Sequence, residues 1–441
     1  MISKLHNSDP KIYKFIEQEK KRQQEGLELI PSENYVSSAV LEAMGSILTN
    51  KYSEGFPNHR YYGGNPNIDL IELECINRAK KLFHVEHVNV QPYSGSPANF
   101  AVYNALLEPG DPITGMNLLD GGHLTHGWKV SATAKFFKSY PYHVKPNGRV
   151  DFDELWNIAK EYKPKLIWCG ATAYARIIEF EKFSEIADSV NAYLIADISH
   201  ISGLIVGGVH PSPVPFAHVI TTTTHKTLRG PRGAMIMVTK KGIKKDPEIA
   251  QKIDKAIFPG LQGGPHNHTT AAIAVALGEA AKPAFKTYAK QIVLNAKTMA
   301  AEFTKLGITL VSGGTDNHLM LLDLSKEGSL GAQLEYAMDV AHMTANKNTI
   351  PGDLASPYYP SGLRLGTPAL TTRGMKEPQM KQIARWIVDI INHIKPYRLP
   401  EDKTKRLEFM KTFKKKMDKD VFLKSVAREV MNLTSQYGTN T

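Results

Sequence analysis

The chain has 441 residues, 42% hydrophobic and 22% charged, which excludes a disordered chain and is too long for one small core. Lys and Arg number 54 against 43 Asp and Glu, a formal charge of +11. That surplus suits nucleic acid, anionic lipid or a polyanionic small molecule without choosing among them.

The first 24 residues, MISKLHNSDPKIYKFIEQEKKRQQ, contain no apolar h-region, and no apolar run approaches a membrane span. The expected compartment is the cytoplasm, with Cys75 and Cys169 as two reduced thiols. Ile12, Phe15 and Ile16 recur at helical spacing within Pro10–Glu25, which predicts an arm helix. The next distinctive segment, NKYSEGFPNHRYYGGN, gathers Tyr52, Glu54, Tyr61 and Tyr62 in a Gly/Pro/Asn-rich loop without periodicity. Such loops serve a ligand or a subunit contact more often than a core.

Short apolar runs at 87–90, 165–169, 192–196, 218–221 and Ala234–Val238 alternate with helical stretches or loops, the rhythm of βαβ units and a mainly parallel sheet. TTAAIAVALGEAA at 269–281 predicts a buried helix, and Pro283 suits the first turn of a more exposed one. A domain change is placed near residue 280. The expected architecture is α/β: a helical arm at 1–30, a large sheet domain at 31–280 and a smaller α+β domain at 281–441. The smaller domain has strands at 309–312 and Leu319–Asp323 and a long C-terminal helix. The Lys-rich end, 401–441, places Leu407, Met410, Phe413 and Met417 at helical spacing and predicts a solvated amphipathic helix.

Chemistry concentrates in HVITTTTHKTLRGPRG, where an apolar strand runs through four threonines into His225, Lys226 and a Gly/Pro turn. A lone loop lysine is ordinarily a solvated charge. Held at a sheet edge with reduced solvation, it becomes a nucleophilic amine able to form a Schiff base. Twenty-nine positions earlier the strand in NAYLIADISH ends at Asp197, followed by His200; carboxyl ends of parallel strands are where α/β folds place ligands. An electron-sink cofactor with a pyridinium nitrogen needs both a lysine and such an acid, which points to pyridoxal phosphate. Ser94, Gly95 and Ser96 precede Pro97 in VNVQPYSGSPANF and offer amides and hydroxyls to a phosphate. Gly263 and Gly264, in FPGLQGGPHNH, could add further amides. In LDGGHLTHG, His123 follows two glycines as if backbone had to approach a flat ligand closely, with the imidazole stacking on its ring. Arg364 alternates with apolar residues in SGLRLGTPALTTRG, so its fork would face inward and need a planar anion.

Together with LELIPSEN, these segments resemble serine hydroxymethyltransferases in the family's own motif order, over roughly residues 10 to 395. The resemblance implies a fold-type I pyridoxal-phosphate enzyme. Its reaction interconverts serine plus tetrahydrofolate with glycine plus 5,10-methylenetetrahydrofolate. It implies that Lys226 carries the Schiff base, Asp197 pairs with the pyridinium nitrogen and His123 stacks on the ring. Ser94, Gly95 and Ser96 would form the phosphate cup, with Thr172 and His200 near the ring oxygen and His225 tuning reaction specificity. Arg364 and Ser32 would bind the amino-acid carboxylate and its surroundings, while Tyr61 and Tyr62 face substrate and folate. Folate would touch Leu118, Leu124 and Asn348, with Gly122 also on the substrate side. Tyr52, Glu54, Gly263 and Gly264 would come from a neighbouring subunit, making a homodimer the working unit. No metal is implied.

A folate-independent threonine or β-hydroxy amino acid aldolase is the nearest alternative, and Glu54 with the Tyr61–Tyr62 pair argues against it. A basic RNA-binding protein is the other, but no aromatic-interleaved basic motif supports it.

Overall fold

The computed structural model describes residues 4–328 and 330–439. The arm helix forms over Pro10–Glu25, with Pro10 in its first turn and Asp9 accepting the Ile12 amide at 3.0 Å. None of its residues is buried. Ile12, Phe15 and Ile16 instead line an open groove with Tyr35, Val36 and Leu41.

A seven-stranded sheet forms the centre. In spatial order its strands are His87–Asn89, Ala234–Val238, Val219–Thr223, Tyr193–Asp197, Leu166–Cys169, Pro112–Thr114 and Lys138–Ser139. Six run the same way and Ala234–Val238 opposes them. Successive side chains of a strand point to opposite faces, and both faces here are dry. Trp168, Ile195 and Val219 join one apolar cluster, whereas Ile167, Ala196 and Ile220 join the other. Helices therefore cover the sheet on both sides, as a mostly parallel sheet requires.

The strand expected at 218–221 lies at Val219–Thr223, because β-branched threonines suit extended backbone and carry it two residues further. Pro112–Thr114 and Lys138–Ser139 were not foreseen; three and two residues are too few to show alternation.

A smaller antiparallel sheet follows in the order Thr309–Leu310, Leu319–Asp323, Gly362–Gly366, Asn346–Asn348. Its first strand stops short of the expected residue 312 because Ser312 turns the chain at φ 57°. Helix Pro283–Lys305 joins the two regions: Phe285, Ala289 and Ile292 pack into the large-sheet core, and Ala296, Met299 and Phe303 into the other. Its first residues are mostly exposed, as expected, and it remains more exposed than the helix before it. Leu27 and Leu29, from the start of the chain, also belong to the second core.

The C-terminal expectation needs correction. Two helices, Arg406–Met417 and Val421–Thr434, fold back, and Met410, Phe413, Met417, Leu423 and Val430 enter the second core. Only Leu407 of the predicted stripe stays exposed, at 62%. Arg373 clasps the tail to the arm, donating to the carbonyls of Gly26, Gln24, Thr434 and Tyr437. No helix among the described residues is long and apolar enough to cross a membrane. Both cysteines are free and buried.

Candidate active site

The strands Tyr193–Asp197 and Val219–Thr223 are parallel neighbours, so both deliver their following loops to the same edge of the sheet. A cavity of about 190 Å³ opens there. Its walls include Ser32, Gly95, His123, Thr172, Asp197, His200, Lys226 and Arg364, residues scattered over more than three hundred positions of sequence.

Lys226 Nζ donates to Thr223 Oγ1 at 2.7 Å. Burial lowers its pKa to about 8, with Arg232 and Arg364 pushing the same way and Asp197 opposing. The amine is thereby closer to its nucleophilic form at neutral pH than a surface lysine.

Burial works against the charge of Asp197, yet its hydrogen bonds prevail and hold the carboxyl well below the usual range. Asp197 Oδ2 accepts from Asn99 Nδ2 at 2.9 Å and lies 3.2 Å from His126 Nε2, while Oδ1 accepts the Ser199 amide at 3.0 Å. His126 is in turn stacked on Trp168, ring centres 4.8 Å apart. An anion fixed in this way is a permanent feature of the floor. His123, at the wall, binds Thr125 Oγ1 through Nδ1 at 2.8 Å; burial first, then His126, lowers its pKa to about 4 and keeps the ring neutral. His123, His126 and Asp197 bring ligand-type atoms within 4.8 Å of one another. Asp197 already spends both oxygens on donors, the pattern of an orienting network.

Arg364 projects from the strand Gly362–Gly366, donating from Nη1 to the Thr172 carbonyl at 2.6 Å and from Nε to Asn346 Oδ1 at 3.0 Å. Burial lowers its pKa to about 10. Among the described residues no carboxylate pairs with it, so a buried cation faces the cavity without a protein counter-ion.

Ser94 caps helix Gly95–Leu106 without a side-chain bond to it, and Ser94 and Ser96 are exposed at its first turn. A Cβ on Gly95 would stand 2.8 Å from Thr223 Cγ2, which is the space left beside Lys226. An anion could therefore approach the backbone only because residue 95 has no side chain.

The two glycines before His123 serve a different need from the one expected. Gly121 has φ 105° and Gly122 would place a Cβ 2.0 Å from the Met116 carbonyl oxygen, so the chain's own packing demands them. Thr172 then closes the turn by donating to the Gly122 carbonyl at 2.9 Å. His225 is mostly buried beside Lys226, and burial lowers its pKa to about 3.

A second set of expected residues lies away from this cavity. Tyr52 packs edge-on against Tyr62, ring centres 4.8 Å apart, and Glu54 and Tyr52 stand against Gly263 and Gly264. Tyr52, Tyr61 and Tyr62 are 55%, 75% and 48% exposed. Arg60, with only 4% of its side chain exposed, shapes this loop by pairing with Asp69 and Glu72 and donating to the carbonyls of Ser53 and Gly55. Leu118 begins a short 3-10 turn whose Leu119 carbonyl accepts from Thr349. Asn348 immediately precedes Thr349, and Leu124 is 49% exposed.

The residues that sequence reasoning passed over are Asn99, His126, Ser199, Thr223 and His318. His126 sits three positions after His123 in the same motif, a visible signal; Asn99 looks like any helix residue until the fold turns it inward.

The model of serine hydroxymethyltransferases matches residues 5–387. The chain belongs to that family. A serine hydroxymethyltransferase of Acidothermus cellulolyticus is 58% identical over 390 residues, covering 88% of this chain and 90% of the relative. One from Sorangium cellulosum is 54% identical over 391 residues, 88% of this chain and 91% of the relative. One from Nitratiruptor sp. is 54% identical over 397 residues, 90% and 94%. Membership makes the protein a fold-type I, pyridoxal-phosphate-dependent transferase, in agreement with the α/β architecture and the motif order.

Proposed function

We propose that the cavity at Lys226 seats pyridoxal phosphate together with the amino acid, and that serine there gives up its hydroxymethyl carbon to tetrahydrofolate, reversibly. The observation that carries this is the opposition of a buried, hydroxyl-held amine and a carboxylate fixed by three donors across one small cavity. When bound, the cofactor supplies an electron sink for the bond broken at the α-carbon.

The chain's own groups divide the remaining work. Lys226 supplies the amine that links covalently. Asp197 would hold a proton on the cofactor's ring nitrogen, and His123 would pack against its ring. Ser94, Gly95 and Ser96 bind the phosphate, with Gly263 and Gly264 of the partner subunit adding amides. Thr172 and His200 stand by the ring oxygen, and His225, neutral beside the lysine, tunes which bond breaks. Arg364 and Ser32 receive the substrate carboxylate. Leu118, Gly122, Leu124 and Asn348 line the folate side.

We further propose a cytoplasmic homodimer in which Tyr52, Glu54, Gly263 and Gly264 serve the partner's cavity, while Tyr61 and Tyr62 face substrate and folate. The exposure of Tyr52, Tyr61 and Tyr62 and the apolar face of the arm helix support this. The organisation proposed is an arm at 1–30, a large domain at 31–280 and a small domain at 281–441; the two apolar cores support it, although Leu27 and Leu29 tie the arm to the small domain.

Serine cleavage by the purified protein, with and without tetrahydrofolate, tests the reading. The expected result is cleavage that depends strongly on folate. Cleavage of threonine and serine at equal rates without folate would favour the aldolase reading instead.

A further inference from the structure

His200 lines the cavity, and its ring does not stand alone. His200 Nδ1 lies 3.2 Å from Nε2 of His318, with the ring centres 5.4 Å apart and tilted by 32°. His318 is fully buried, at 0% exposure, immediately before the strand Leu319–Asp323. Its backbone is pinned on both sides: Asn317 donates to the Tyr174 carbonyl and accepts the Leu319 amide, and the His318 carbonyl accepts the Thr367 amide. These bonds fix the His318 backbone beside His200, and both rings are buried, at 0% and 5% exposure.

A neutral imidazole has one N–H and one lone pair. Both rings are neutral at physiological pH. Burial is the main cause, lowering His318 to about 3 and His200 well below its ordinary value. The Lys226 and Arg364 cations add to it for both rings, and only Asp197, acting on His200, opposes. His210 also disfavours the charge of His318. One N–H must then fill the gap between the rings, and two arrangements exist. If His200 donates, His318 carries its proton on Nδ1, a buried atom with no hydrogen-bond partner among the described residues. If His318 donates, that same atom is a bare lone pair. Orphaned buried N–H groups are rarer than under-satisfied acceptors, so the second arrangement wins.

Resting on the reading of the cavity given above, we propose that His318 is a positioning residue: it donates from Nε2 to His200 Nδ1 and thereby fixes the His200 proton on Nε2. The cavity consequently meets a neutral N–H donor at His200, suited to an anionic oxygen such as a ring phenolate or a carboxylate, and never an imidazolium or a competing acceptor. The device lies outside the cavity and acts only through His200.

The test is long-range proton–nitrogen correlation NMR on the full-length, histidine-labelled protein, with and without pyridoxal phosphate, comparing wild type with His318→Leu and His318→Gln. In the wild type both His200 and His318 should be neutral with the proton on Nε2. Removing the donor in His318→Leu should leave His200 a mixture of the two tautomers; the Gln amide, which can donate from nearly the same point, should restore the single form. In the loaded enzyme, the pH at which the visible band of the bound cofactor changes should move in His318→Leu and return in His318→Gln. Should His318→Leu fail to fold, the wild-type tautomer and the Gln variant still decide. A wild-type His200 protonated on Nδ1, or a His200 tautomer indifferent to residue 318, overturns the proposal. The readout does not need bound cofactor, so a protein that binds no pyridoxal phosphate yet shows the predicted tautomers contradicts the cavity reading alone.

Discussion

At the scale of single residues, the cavity is a set of charges whose protonation the burial controls. The Lys226 amine, lowered to about 8, is mostly charged at pH 7 and mostly neutral at pH 9. Only the neutral amine attacks a carbonyl. Capture of pyridoxal phosphate by cofactor-free protein should therefore accelerate as pH rises through about 8 and then level off, followed as growth of the visible band. A rate still climbing steeply above pH 10 would mean that the lysine is not desolvated. Arg364 makes a second prediction. Truncating one partner of a buried charge pair costs roughly 2–5 kcal/mol, so Arg364→Ala should weaken serine and glycine binding by about 30-fold or more while phosphate affinity holds. Arg364→Lys should recover only part, since an ammonium restores the charge but not the planar fork that bonds Thr172 and Asn346 while facing a carboxylate. Loss of cofactor instead of substrate would reassign the arginine. Lys226, Asp197 and Arg364 were legible in the sequence because each stands at the end or face of a short apolar run, and His123 because it follows two glycines. His126, three positions further on, shared that motif and went unread, whereas Asn99 and His318 carried no signal because their roles exist only where separate elements converge.

At the scale of elements, backbone packing sets where those residues stand. The turn at Gly121–Gly122 carries His123 and receives Thr172. A methyl at residue 122 would meet a backbone carbonyl at 2.0 Å, which no rotamer change relieves. Gly122→Ala should exceed the roughly 1–3 kcal/mol usual for overpacking, read as a clear fall in thermal midpoint together with weaker cofactor retention. An unchanged midpoint would show the turn to be pliable. Strand cores were legible because five buried residues in a row, as at Ala234–Val238, leave a plain apolar run. Boundaries drifted where composition is ambivalent: the threonines after Ile220 read as a loop by polarity but are extended by their branched Cβ atoms. The tail misled for the opposite reason, since its lysines imply solvent while Met410, Phe413 and Met417 are buried once the following helix folds back.

At the scale of the whole molecule, the residues expected around folate fall into two groups that one chain does not bring together. If Glu54 works in the partner's cavity, a Lys226→Ala chain and a Glu54→Gln chain are each defective alone but complementary in a mixed dimer, which holds one site with both native residues. Mixing after dissociation should restore a substantial fraction of folate-dependent serine cleavage. No recovery in a verified mixed dimer would place Glu54 in its own chain's site. The shared site was implied by the family resemblance alone, because nothing in a linear sequence says which copy a loop serves. Every role assigned around the cavity depends on a covalent link at Lys226, which borohydride reduction of the purified protein followed by peptide mass mapping would locate. One pyridoxyl phosphate group per chain, on Lys226, is expected; a group on a different lysine, or none at all in protein saturated with pyridoxal phosphate, would refute that role.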